Sequence, residues 1–261
     1  MKFQIPLTPG AVTQFLLRVV VCLVVLSFLS QMSLYFLPDY PSRDYFAKSF
    51  NIDAEGNIPA IYSFLALLFS SLLLGVIAHA KNLESCRYKY HWKILSFIFL
   101  YLSIDEAIEL HEQLIGPTRK LLNATGVLYF TWVVPMGFLV AIFLLSYSKF
   151  LFHLPVPTRK LFVAGCALYL GGAIGMEMPG GYLASTTGMQ SVPYLIVMTI
   201  EESLEMLGIV VFIHALMSYI KIYLGGVSGN IYIEGKKPQF TETPHIGIPA
   251  LREPANRNLS R

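Results

Sequence analysis

The chain has 261 residues, of which 55% are hydrophobic and only 13% charged, with a formal net charge of +3. A soluble globular domain carries about a quarter charged residues, so these proportions favour the membrane class. Nucleic-acid binding has no support, because the basic residues are scattered at the edges of apolar stretches where membrane topology already explains them.

A helix needs about 20 mostly apolar residues to cross roughly 30 Å of hydrocarbon. Six stretches of the chain qualify. The first, "VVVCLVVLSFLSQMSLYFL" at 19–37, is too long for a signal peptide and is followed by "PDYPSRDY" rather than a small-residue cleavage site. It reads as a retained first helix. The loop after it, "PDYPSRDYFAKSFNIDAEGNIP", ends in a helix start: Asn57 is placed to cap the second segment, 58–80, with Pro59 in the first turn, where its missing N–H costs nothing. Glu55 then stands beside the positive end of that helix, although a solvated loop charge is an equal reading.

The third segment is predicted over 92–115 and the fourth over 127–148, with a kink at Pro135. The fifth, 161–178, carries Gly171 and Gly175 in a G-x-x-x-G pair suited to close helix packing rather than chemistry. The sixth runs over 194–224. From Gly225 the sequence turns rich in Gly, Pro, Asn and charge, which predicts a flexible cytosolic tail. The expectation is an all-α, six-helix membrane domain over 1–224 followed by a tail over 225–261, in a plasma or internal membrane.

Orientation follows from Lys and Arg. With the N-terminus inside, fifteen of the nineteen fall on cytoplasmic segments, and only Arg43, Lys48, Arg119 and Lys120 lie outside. Both termini are therefore expected inside. Twelve of the sixteen acids fall in outer loops or helices, so the outer half of the molecule is acidic. Cys22, Cys86 and Cys166 all fall on the inner side, so no outer disulfide is expected, and no C-x-x-C motif occurs.

Eight acids interrupt three apolar segments at one depth: Asp105, Glu106, Glu109 and Glu112 in "SIDEAIELHEQL", Glu177 in "GMEMPGGY", and Glu201, Glu202 and Glu205 in "TIEESLEMLG". At 100° per residue, Asp105, Glu109 and Glu112 share a narrow arc that Glu106 extends, and the three acids of the sixth segment do the same. His111 falls well over 100° from Asp105, so regular helical geometry turns it from the acidic face unless the helix unwinds. Tyr129, Trp132, Tyr182 and Tyr194 fit an aromatic belt at the membrane interface, and His214 reads as a hydrogen-bonded core histidine.

So many acids cannot all be ionised in low dielectric without compensation. Either several stay protonated or cations bind. Carboxylates suit Mg, Ca, Mn or ferrous iron, and inclusion of His111 makes zinc or iron more apt. The reading is a divalent-cation site with Glu106, Glu109, His111, Glu112, Glu201, Glu202 and Glu205 as ligand candidates and Asp105 or Glu177 as general base, in a metal-dependent enzyme acting on a lipid or small apolar substrate. Two alternatives stay open: a proton- or cation-coupled carrier, and a non-enzymatic subunit or assembly factor of a membrane complex.

The double glutamate suggests CAAX-protease-like enzymes, but their E-E-x-x-x-R motif meets Met206 at the arginine position. Membrane desaturases need about eight clustered histidines, whereas this chain has six, scattered. The pieces "EGNIPAIYS", "LSIDEAIELHE", "GGAIGME" and "EESLEMLG" instead resemble a group of uncharacterised prokaryotic multi-pass membrane proteins over residues 55 to 220. That resemblance implies one family unit and brings no function with it.

Overall fold

The computed structural model describes residues 8–54 and 56–225, and the regular structure among them is helical throughout. Helix starts are written plainly in the chain. α1 (Pro9–Phe36) is capped by Thr8, whose side chain accepts from the Ala11 N–H, and α3 (Ile58–Leu83) by Asn57, which accepts from the Ala60 N–H at 3.2 Å, as expected. Each has proline in its first turn. Between them α2 (Pro41–Phe50) forms within the first loop, a helix that the expected elements do not include. Arg43 of α2 is spent locally, at 2.6 Å from Asp39 and 2.7 Å from Asp44.

α4 (Lys89–Ile108) returns along α3, and the two are pinned by reciprocal bonds. Ser71 Oγ donates to the Ser96 carbonyl at 2.7 Å, Ser96 Oγ to the Ser71 carbonyl at 2.9 Å, and Ser103 Oγ to the Phe64 carbonyl at 3.0 Å. After a short 3-10 turn (Glu112–Leu114) comes the small helix α5 (Ile115–Leu122), then α6 (Val133–His153). Pro135 sits in the first turn of α6, so it starts that helix and kinks nothing. α7 (Val156–Leu170) passes through a π-helical segment (Gly171–Met176) into α8 (Glu177–Thr186), and α9 (Val192–Tyr223) closes the order, capped by Ser191.

α9 is the central rod: α1, α3, α7, the π segment and α8 all pack on it. Its second half is buried nearly all round, with Met206, Ile213, Ala215 and Leu216 at 0% exposure, which is the pattern of a helix inside a bundle. Conversely, α1, α3, α6 and the α7–α8 rod present exposed large apolar residues, among them Phe15, Leu72, Phe138 and Leu145. Those four rods, Pro9–Phe36, Ile58–Leu83, Val133–His153 and Val156–Thr186, are long and apolar enough to cross a membrane. α4 falls outside that class because Lys89 and Lys93 at one end and Asp105 and Glu106 at the other leave too short an uncharged run.

Several expected boundaries move: α1 starts at Pro9 rather than at 19, and α6 spans Val133–His153 rather than 127–148. The segment predicted over 92–115 stops at Ile108, and the one predicted to end at 178 runs on to Thr186. The readings for Glu55 and for the tail over 226–261 fall outside the described residues.

Candidate functional site

The site grows from the end of α4. Glu109 takes a left-handed backbone, φ 51°, and its N–H closes on the Asp105 carbonyl at 2.9 Å. A left-handed residue is a common helix stop, though usually glycine or asparagine. The reversal carries His111 back over the last turn: its N–H donates to Asp105 Oδ1 at 3.0 Å and its Nδ1 lies 2.9 Å from Oδ2. Asp105, only 8% exposed, thus holds His111 by both main chain and ring. This corrects the helical-wheel expectation. His111 belongs with Asp105, while Glu109 and Glu112, beyond the end of α4, do not continue the Asp105 face.

From His111 the contacts run inward. Its ring packs on Trp132, centroids 4.7 Å apart, and Trp132 Nε1 donates to Glu177 Oε1 at 2.8 Å. Glu177 is 9% exposed and lies where the π segment becomes α8, well inside the rod rather than at its outer end. Its carboxyl comes within hydrogen-bonding reach of Glu201 on α9, which is 6% exposed. Oε2 of Glu201 receives no donor among the described residues.

Glycine makes that approach feasible. A Cβ on Gly172 would stand 2.7 Å from the Glu201 carbonyl and 2.7 Å from Glu205 Cγ, so the π segment lies directly on the acidic turn of α9. Gly208 does the same one step further, where a Cβ would meet the Tyr169 N at 2.7 Å. The expected pair, Gly171 and Gly175, is not the contact: neither has a neighbour within about van der Waals distance of its Cβ position other than Leu170 of its own rod, at 3.9 Å from Gly175. π-bulges concentrate at functional sites because they rotate a helix face without ending the helix.

Asp53, between α2 and α3, was not singled out by sequence reasoning. The Tyr194 hydroxyl donates to its Oδ1 at 3.4 Å. Burial, then the nearby charges of Glu177 and Glu112, push the Asp53 carboxyl up to about 7, partly opposed by that hydrogen bond. Glu112 is raised too, by burial first and then by Glu109. A lone aspartate in a loop has no periodic signal, so only its neighbour Tyr194, read as belt, could have pointed to it. Trp132 and Tyr194 are likewise buried and bonded to acids rather than lying free at an interface.

Glu106 faces Ser63 of α3 along with Asp105 and His111. It lines a cleft of about 100 Å³ with Gly56, Ala60, Ile61, Phe64 and Ala107. Glu202 and Glu205 lie within electrostatic reach of Glu106, with Tyr169 among all three. Two of the basic residues expected on the outer side are engaged elsewhere. Arg43 serves Asp39 and Asp44, and Arg119 donates to the Tyr129 carbonyl with its guanidinium 4.3 Å from the Tyr129 ring centroid. His214 bonds Thr13 Oγ1 at 2.8 Å, the core role expected of it.

The structure therefore brings Asp105, His111, Trp132, Glu177 and Glu201 into one connected string, with Asp53 beside it and Glu106, Glu202 and Glu205 behind. Among the described residues, no three His, Cys, Asp or Glu side chains converge on a point that could hold a metal ion. What the arrangement offers chemically is a set of closely spaced, buried carboxyls, the kind of group that can share a proton with a neighbour.

No curated protein and no solved structure matches the chain. A family model does match over residues 16–220, which takes in every residue of the string. The chain belongs to the family described as a domain of unknown function, DUF8692.

Proposed function

We propose that this protein spans the membrane six times, with both termini inside, and works by reversible protonation of its buried carboxyls, as a proton-coupled carrier does. The carrying observation is the Glu177–Glu201 contact: two carboxyls more than nine-tenths buried, one oxygen without a donor, and no Lys or Arg in α8 or the first half of α9. Ionised carboxylates only accept, so the contact becomes a hydrogen bond only when the pair holds a proton. α4 and α9 supply the two spans that composition alone does not mark, and the placement of fifteen of nineteen Lys and Arg supports the orientation.

The test is proton flux into proteoliposomes under an imposed pH gradient, read by an internal pH-sensitive dye. Wild-type protein moves protons and Glu201→Gln does not; equal flux from the two would sink the reading. Reporter fusions at the loops around residues 84 and 154 should read inside, and a reporter at 188 outside.

A second reading is favoured by the same undonated oxygen of Glu201, a hard ligand atom: a divalent cation held by Glu201 with Glu177, Glu205 or their neighbours, serving a metal-dependent enzyme. It requires the side chains to rearrange into a convergent set. Elemental analysis of purified protein decides it, through near-stoichiometric metal in wild type that falls in Glu201→Ala and Glu205→Ala.

A further inference from the structure

Resting on the proton-binding reading, we propose that water reaches the carboxyl cluster through the cleft between the first turn of α3 and the last turn of α4, and that Glu106 is the first group to take up the proton. The cleft of about 100 Å³ is lined by Gly56, Ala60, Ile61, Phe64, Glu106 and Ala107, and among these described residues Glu106 alone is ionisable. A volume of this size has room for water beside the Glu106 carboxyl. Ile61 and Ala107 are exposed, and Gly56 precedes the helix, so the mouth opens at the edge of the α3–α4 pair at the level where both helices end.

The back of the cleft leads to the other acids. Behind Glu106 stand Ser63 from α3, Asp105 and His111 from α4 and its extension, Glu202 and Glu205 from α9, and Tyr169 from α7. Among the described residues, Glu106 is thus the carboxyl that touches the cleft on one side and the interior acids on the other. The N-terminus of α3, with Asn57 and Ala60 at its first turn, presents the positive end of the helix dipole to the same space, which favours the transient Glu106 carboxylate.

Thiol chemistry separates this route from a lipid-filled crevice. Charged methanethiosulfonates react with thiolates, which form in water and not against apolar surroundings. In a background with Cys22, Cys86 and Cys166 replaced by serine, Ala60→Cys treated from the outside should be labelled at least about tenfold faster than Leu65→Cys, which sits deeper on α3 and is 53% exposed on its outer surface. Ala107→Cys, at the exposed rim, is the second variant should Ala60→Cys not fold. Glu106→Gln should slow proton uptake by at least about tenfold and leave the labelling unchanged.

Equal labelling of Ala60→Cys and Leu65→Cys overturns the route, as does wild-type uptake by Glu106→Gln. Proton uptake without labelling overturns the route alone and leaves the functional reading standing. A wild type that takes up no protons overturns both, whatever the thiols show.

Discussion

The two ends of the bundle are built from the same helices and held by different forces. At the end where α4 begins and α9 finishes, Trp92, Phe150, Phe162, Phe212 and Tyr219 fill the space between regular helices, with Trp92 edge-on to Phe150 at 5.1 Å and to Phe162 at 5.9 Å. At the other end α4 breaks at Glu109, the α7–α8 rod passes through a π segment, and directional hydrogen bonds tie His111 to Asp105 and Trp132 to Glu177, with the two rings packed between them. Burial of apolar surface and dispersion scale with contact rather than with the geometry of one bond, so the aromatic end needs no irregular backbone. The acidic end departs from local rules in several places at once, and such departures gather where a protein works rather than where it is merely held together.

The comparison breaks most visibly on removal of a ring. Trp92→Ala deletes a 2%-exposed side chain from the aromatic end and should cost about 3–5 kcal/mol of stability, read as a lower unfolding temperature in detergent. Trp132→Phe keeps a ring against His111 and loses only the donor to Glu177, so its effect should fall mainly on proton uptake. If Trp132→Phe unfolds as readily as Trp92→Ala, the acidic end is a second packing core.

Next in size is the dependence on pH. Asp53 is raised from 3.8 to about 7, so the folded state binds a proton there that the unfolded chain has already released. Stability from this group is full below about pH 4, falls as pH rises, and is lost once pH passes about 7, with a slope of at most about 1.4 kcal/mol per pH unit. Unfolding temperatures between pH 4.5 and 8 should fall with rising pH in wild type and fall less in Asp53→Asn. A full wild-type slope in Asp53→Asn would assign the titration to other groups.

How much of this the sequence shows differs between the ends for a physical reason. Apolar stretches and caps are local signals, so Asn57 and Pro59 announce the start of α3, and the eight interrupting acids announce their own region. The string itself is not local. A wheel drawn through 103–114 puts His111 on the wrong side because it assumes the helix persists, whereas the left-handed turn at Glu109 brings His111 back against Asp105 and Trp132. Asp53 meets Tyr194 across 141 positions of sequence, and no pattern within the loop could report that pairing. Likewise the glycine that matters, Gly172, is picked out by the carbonyl of Glu201 and not by the G-x-x-x-G spacing of Gly171 and Gly175.

That glycine gives the third contrast. Gly172→Ala forces a methyl to 2.7 Å from a backbone carbonyl and should cost about 1–3 kcal/mol while opening the Glu177–Glu201 contact. Gly75→Ala, between α3 and α4, meets only Ser96 Oγ at 3.4 Å and should be close to neutral. Paired unfolding and proton-uptake measurements check both. A benign Gly172→Ala would mean that α9 can move away from the π segment at little cost, and the acids would then be loosely held.

The smallest effect tests whether the break in α4 is made by Asp105. Asp105→Asn keeps an oxygen that can accept from the His111 N–H, now 3.0 Å from Oδ1, so the turn retains its main-chain tie. What it loses is the acceptor facing His111 Nδ1 at 2.9 Å, a single bond of about 0.5–1.5 kcal/mol. The chain should fold with a slightly lower unfolding temperature, whereas His111 loses the carboxylate that orients its ring on Trp132. Since Trp132 in turn donates to Glu177, that loss should reach proton uptake as well, beyond what the change in stability accounts for. Asp105→Ala removes both acceptors and should cost more in stability than Asp105→Asn, because the His111 N–H is then left without its partner at the end of α4. Equal unfolding temperatures for the two variants would show that the reversal at Glu109 is set by the packing of His111 on Trp132, with Asp105 following rather than directing it.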